Sequence, residues 1–240
     1  PISNYWIRSA PIVSGTPEGF VNDTNSAILR YVGAPPSHPS SNPPITTPSR
    51  PLVETDLHPL VPNPAPGKPF PGGVDVNLRI DVTRNLTTKK WFMNGVNFVP
   101  PTVPVLLQIL SGARRAQDLL PKGAVYALPR DKVVEISIPG GEKGSPHPFH
   151  LHGHTFHVVR SAGNETYNFD TPVVRDVVSM GDSTEYLTTI RFTTDNAGPW
   201  FLHCHIDWHL EDGMAVVLAE DILSVERVHP PGTSSTVSLL

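Results

Sequence analysis

The sequence predicts an all-β protein, a β-sandwich or Greek-key barrel of about eight short strands. Three observations point there. Short apolar runs recur along the chain, and 28 prolines and 18 glycines punctuate them. Between 74 and 81 the pattern alternates with a period of two: Val74, Val76, Leu78 and Ile80 are apolar, and Asp75, Asn77, Arg79 and Asp81 are polar. Asn94-Gly95 sits between Trp91-Phe92-Met93 and Val96-Asn97-Phe98, a hairpin signal.

The elements follow in order. Tyr5–Arg8 and Ala27–Val32 are strand-like. Two strands make no stable sheet alone, so residues 1–33 read as the tail of a β domain whose earlier part is absent. Residues 34–73 are rich in Pro, Ser, Thr and Asn and read as an extended linker lying along the surface. The main domain runs from 74 to 222. It opens with the alternating strand and the hairpin, then a short helix over Pro104–Leu110 with proline in its first turn. Further strands are expected at Val133–Ile138, Phe156–Arg160, Val173–Ser179, Tyr186–Thr194, Trp200–His205 and Ala215–Glu220. Residues 223–240 form a tail.

Composition excludes several classes. A net charge of -4 offers no basic surface for nucleic acid. No apolar run approaches the ~18 residues of a membrane helix. Pro1-Ile2-Ser3-Asn4-Tyr5-Trp6 reads as the approach to a strand rather than a secretory leader, which fits a mature chain or one whose beginning is missing. A lone cysteine, Cys204, rules out an internal disulfide framework. Sequons at Asn22, Asn85 and Asn164 weakly support a secreted origin.

Seven of the eleven histidines fall in two clusters, His147-Pro-Phe-His150-Leu-His152-Gly-His154 and His203-Cys204-His205-Ile-Asp-Trp-His209. Neither a core nor a solvated face needs histidine at this density. In a strand, His203 and His205 point one way and Cys204 the other. The strand then serves two neighbouring metal sites, joined by a short covalent path suited to electron transfer. On the cysteine side, His209 follows Cys204 by five residues and Met214 by ten, and His147 is the natural second imidazole. A thiolate, two imidazoles and a weak axial thioether are a blue-copper set; structural zinc has no use for a distant methionine. On the other side His150, His152, His203 and His205 offer imidazoles for more than one copper. His154 and His157 read as structural groups that donate hydrogen bonds, and His38, His58 and His229 take no role.

Both clusters resemble the third and fourth copper signatures of multicopper oxidases. Flanking segments are closest to laccases of basidiomycete fungi: Asn4–Arg8, Asn25–Tyr31, Pro100–Pro104 and Gly198–Leu202. The resemblance extends to about residue 222. It implies cupredoxin-like Greek-key domains, with 74–222 as the third and 1–33 as the end of the second. It also implies type 1 copper on His147, Cys204 and His209, type 2 copper on His150, and the type 3 pair on His152, His203 and His205. Cys204 would pass electrons through His203 and His205. The implied substrates are phenols or aromatic amines, and dioxygen would be reduced to water. Asp176 and Asp207 match acidic positions that shuttle protons or orient ligands.

Three departures qualify this. No His-x-His pair precedes residue 147. Half of the trinuclear cluster's histidines are therefore missing, and the chain reads as a C-terminal fragment, a truncated product or one piece of a split protein whose N-terminal half is a separate chain. Met214 stands where many such laccases place Phe or Leu, and a thioether there predicts a lower reduction potential. Residues 223–240 leave the family pattern, and the tail cysteine expected there is absent. The acid that holds the phenol in laccases would belong to the missing part. Two alternatives remain: a metallo-oxidase of iron or manganese, and, for the isolated chain, a single-electron blue-copper protein. A catalytically dead fragment without copper is a third reading.

Overall fold

In a computed structural model of the chain, the described residues are 2–9, 12–13, 16–17, 25–39, 52–141 and 145–225. They divide into two compact units, Pro1–Leu52 and Val53–Leu240. In the first, β1 (Tyr5–Arg8) pairs antiparallel with β4 (Ser26–Leu29), and β2 (Ile12–Val13) with β3 (Thr16–Pro17). The Asn4 side-chain amide donates to the carbonyls of Pro35 and Ser37 at 2.7 and 2.8 Å, holding the segment after β4 against its start.

The second unit is a two-layer β-sandwich, as the alternating patterns predict. Its strands are β5 (Val76–Arg79), β6 (Val82–Arg84), β7 (Trp91–Met93), β8 (Val125–Leu128), β9 (Val133–Pro139), β10 (Pro148–Leu151), β11 (Phe156–Arg160), β12 (Val173–Arg175), β13 (Val177–Ser179), β14 (Leu187–Thr193), β15 (Gly198–Cys204) and β16 (Ala215–Glu220). Helices α1 (Val105–Leu110), α2 (Ala116–Leu119) and α3 (Asp207–Glu211) join them. One sheet has the order β13-β10-β15-β16-β8 and the other β12-β11-β14-β9-β5; β6 and β7 form a separate hairpin.

Parity of the strands decides what each face does. Phe149 and Leu151 of β10, Leu202 and Cys204 of β15, and Val216 and Leu218 of β16 turn inward. They meet Val134, Ile136, Phe156, Val158, Ile190 and Phe192 of the opposite sheet. The alternate residues of β15 and β16, among them Phe201, Ala215, Val217 and Ala219, pack instead under α1 and α2 with Ile109, Ala116 and Leu119. β16 is thus buried on both faces, which is why it reads as a continuous apolar run rather than an alternating one.

Three sequence expectations shift in detail. Val173–Ser179 is two strands in different sheets, because the chain crosses the sandwich at Asp176. β15 ends at Cys204, one residue before His205. The alternating stretch from Val74 to Ile80 pairs only over Val76–Arg79, running parallel to β9.

Part of the proline-rich stretch is tied down by an ion pair. Arg191 and Glu135 face each other across β14 and β9, and both are buried. The guanidinium gives 2.8 and 2.7 Å contacts to Glu135 and donates to the carbonyls of Pro66, Lys68 and Phe70. Glu135 accepts the Gly72 amide at 3.0 Å. A buried cation with every donor engaged anchors residues 66–72 on the sandwich.

Candidate metal centre

Both histidine clusters meet across β10 and β15. The antiparallel register sets Phe149 opposite Cys204 and His150 opposite His203. Cys204 therefore faces the core with Phe149, while His150 and His203 share the opposite face. The strand alternation expected from the sequence is what separates the two groups.

On the core side, the Cys204 sulfur lies 3.8 Å from His147 Nδ1 and 3.6 Å from His209 Nδ1. One donor atom from each residue falls within 4.8 Å of the other two. Ligand bonds of roughly 2.0–2.3 Å at trigonal or tetrahedral angles separate neighbouring donors by about 3.4–3.8 Å, so these atoms are spaced to share one ion. His209 arrives on α3, not on a strand. Its loop is closed by backbone bonds: Met214 N–H donates to the His209 carbonyl at 2.9 Å, and Cys204 N–H to the Met214 carbonyl at 3.1 Å. Met214 is fully buried in the core cluster that contains Cys204.

Trp91 completes this pocket, and sequence reasoning read it only as part of a hairpin. Its ring centroid stands 5.0 Å from that of His147 and 5.0 Å from that of His209. Arg84, its cross-strand partner, places a guanidinium 5.1 Å from the indole centroid. Asn97 is a second residue that reasoning missed. Its amide donates to the carbonyls of Trp91 and Asp212, both at 2.8 Å, clamping the hairpin to the loop that carries His209. Neither had a signal beyond a polar residue following the Asn-Gly turn and an aromatic preceding it.

On the outer side stand His150, His152, His203 and His205. Ring centroids are 4.7 Å apart for His150 and His152, 5.1 Å for His152 and His203, and 5.6 Å for His203 and His205. His152 Nε2 and His203 Nε2 are 3.0 Å apart. His203 donates through Nδ1 to the Cys204 carbonyl at 2.9 Å, and His150 through Nδ1 to the Asp176 carbonyl at 2.8 Å. In both, the remaining lone pair is on Nε2. Asp176 is thus beside His150, with its carboxylate 3.9 Å from Nδ1 and its backbone oxygen in closer contact. Asp207 is exposed at the first turn of α3, and among the described residues its carboxylate makes no hydrogen bond or ion pair.

The remaining histidines are elsewhere. His154 bonds Glu220 at 2.7 Å, and His157 belongs to β11 of the other sheet. His38 packs on Trp6 in the first unit, His58 is exposed, and His229 lies outside the described residues.

Burial tunes the candidate ligands. It lowers His147 to about 4, helped by the charges of His209 and Arg84. Burial also lowers His203 to about 4, helped by the neighbouring imidazoles and opposed by its bond to Cys204. His209 and His152 shift down for the same first reason. The Cys204 thiol is raised by burial. At neutral pH the imidazoles are lone-pair donors, and the thiol is the group that must lose a proton to bind a metal.

The family model described as Multicopper oxidase matches residues 98–224, just over half of the chain. The chain belongs to the multicopper oxidase family. It is 57% identical over 230 residues to Laccase-2 of Pleurotus ostreatus and 56% identical over 232 residues to a laccase of Pycnoporus cinnabarinus. Each alignment takes in 96% of this chain but only 42% and 43% of the relative, so the chain spans less than half the length of these proteins. Among solved structures, Fet3p, a multicopper oxidase that functions in iron import, gives a TM-score of 0.67 at 26% identity over 85% of this chain and 41% of its own. The laccase of Botrytis aclada gives 0.65 at 27% identity over 94% and 42%. These likenesses make the sandwich a multicopper oxidase fold, and copper is the family's cofactor. The donor set fits it: a buried thiolate with two neutral imidazoles on one side, and four imidazoles without a carboxylate among them on the other.

Proposed function

We propose that this chain is the electron-accepting part of a laccase, which oxidises phenols or aromatic amines by single electrons and couples this to reduction of dioxygen to water. The observation that carries the reading is the back-to-back placement of the two ligand groups on β10 and β15, one residue apart at Cys204. Identity of 57% and 56% to the Pleurotus and Pycnoporus laccases, against 26% to the iron-import oxidase, favours phenols over metal ions as reductants.

In this reading His147, Cys204 and His209 would hold type 1 copper, with the buried Met214 thioether as a further weak donor. His150 serves type 2 copper, and His152, His203 and His205 serve the type 3 pair. Copper bound to these residues supplies one-electron chemistry that side chains lack. The chain's own residues do the rest. Trp91 and the core exclude water from the thiolate. The peptide bonds from Cys204 to His203 and His205 connect the two groups, one residue, or about 3.3 Å of chain, on either side. Asp176 fixes the ring of His150, and Asp207 is an exposed acid available for proton delivery. Residues 74–222 form the copper-bearing domain and 1–33 the end of a preceding one. The remaining histidines come from outside these residues, in the same protein or a separate chain. Secretion and N-glycosylation are supported by Asn85, exposed in a turn where its Oδ1 accepts the Thr87 and Thr88 amides, and by Asn164. Asn22 lies outside the described residues. No helix of the described residues is long and apolar enough to cross a membrane.

The test is copper content with visible and EPR spectra of the reconstituted chain. One intensely blue copper per chain, bleached by a phenol faster than by ferrous iron and lost in Cys204→Ser, is expected. Reconstitution without a thiolate band would overturn the reading.

A further inference from the structure

A cavity of about 340 Å³ opens beside His147, between the β6–β7 hairpin and the strand ends. Val82, Leu86 and the Trp91 ring give it an apolar aromatic lining; Thr83 and Thr184 add hydroxyls. The volume is in the range of small-molecule sites. Arg84 is the one charged residue among the described residues that line it, and no carboxylate faces it there. Elsewhere in this unit Arg79, Arg115, Arg130, Arg175 and Arg191 each pair with an Asp or Glu, and Arg160 donates to the Asn164 carbonyl at 2.7 Å. Arg84 makes no ion pair among the described residues, and its guanidinium rests on Trp91. A cation with no ion pair among the described residues, at the rim of an aromatic cavity, attracts an anion, and its planar fork matches a carboxylate.

We propose that this cavity selects aromatic reductants that carry a carboxylate, with Arg84 as the specificity-determining residue. The inference rests on the reading of the site as one that takes electrons from phenols. The carboxylate would engage Arg84 while the ring stacks towards Trp91, whose indole contacts both His147 and His209. The carboxylate is only a handle: one electron would pass from the phenol to copper held by His147, Cys204 and His209, reducing it by one unit, the phenolic proton goes to solvent, and the carboxylate is unchanged. Coulomb attraction at a partly exposed cation gives about a tenfold preference for the acid over its neutral analogue, shrinking as salt rises.

Two measurements test it. In the first, benzoate and benzamide are titrated into the metal-free chain, following the Trp91 indole N–H by NMR. Benzoate is expected to shift that resonance at about tenfold lower concentration than benzamide. The difference disappears in Arg84→Gln and persists in Arg84→Lys. In the second, the copper-loaded chain is reduced anaerobically by 4-hydroxy-3,5-dimethoxybenzoate and by its methyl ester. The acid-to-ester rate ratio is expected to fall about tenfold in Arg84→Gln. Equal binding of benzoate and benzamide, or a ratio that Arg84→Gln does not move, overturns the proposal. Failure of both phenols to reduce a blue, copper-loaded chain would instead strike the phenol reading, and the benzoate titration would still decide the role of Arg84.

Discussion

At Cys204 the alternation of a β-strand separates two groups of candidate metal ligands by a single residue. His203 and Cys204 are both buried, and burial forces both to be neutral without a metal, at a cost that depends on pH. His147 and His203 titrate near 4 in the folded chain against about 6.5 unfolded. Because the folded values are the lower ones, the unfolded chain takes up protons first as pH falls. The stabilisation is therefore complete above about 6.5 and is lost as pH drops towards 4. Between pH 7 and 4.5 each imidazole should withdraw about 2 kcal/mol from the metal-free protein. Urea unfolding at the two pH values measures this, and His203→Gln should flatten the dependence by its own share. A midpoint that does not move between pH 7 and 4.5 would mean that these rings are protonated in the fold.

The elements that aim the ligands are less visible in sequence than the ligands. β15 can be placed because histidine density and parity carry their own signal, and β9, β11, β14 and β16 because β-branched and apolar residues dominate segments of five to seven residues. Splitting Val173–Ser179 at Asp176 is not legible, since the polar pair Arg175-Asp176 between two valine pairs fits a single half-buried strand equally well. Nor was α3, where one turn and a half of helix turns His209 back towards Cys204. The clamp on that loop is built from distant chain. The Asn97 side-chain amide and the Trp91 N–H both donate to the Asp212 carbonyl, and the Phe98 N–H donates to that of Gly213, pairings no local pattern encodes. Gly213 has φ +101°, and a Cβ there would collide with the Asn97 amide. Asn97→Ala should leave two partly buried carbonyls short of a donor and cost about 1–3 kcal/mol. Because His209 would lose its restraint, the blue band and the EPR copper splitting should shift as well. Gly213→Ala should do more, straining the backbone and pushing Asn97 away. Loss of stability with an unchanged spectrum in both variants would make the clamp structural only.

Across the whole unit the two ligand groups differ in how closed they are. Cys204, His147 and Met214 are buried between the sheets, where fold and site are the same packing. His152 and His205 are exposed on the outer face, and that group has no three donors as tightly gathered as those on the core side. The closed site should therefore bind copper first and transmit the binding energy to the fold, because the unfolded chain holds no such set. Its protonation fixes the accompanying proton count. His147 and His209 are already neutral at pH 7, and Cys204 is a thiol. Uptake of the first copper should then release about one proton, read by calorimetry in buffers of different ionisation enthalpy. The same copper at about a hundredfold excess over its dissociation constant should add about 2.7 kcal/mol to stability. His150→Ala with His152→Ala should keep both effects, and Cys204→Ser should lose both. Release of no proton, or a stabilisation that survives Cys204→Ser, would place the first copper on the open face and reverse the order in which the two groups fill.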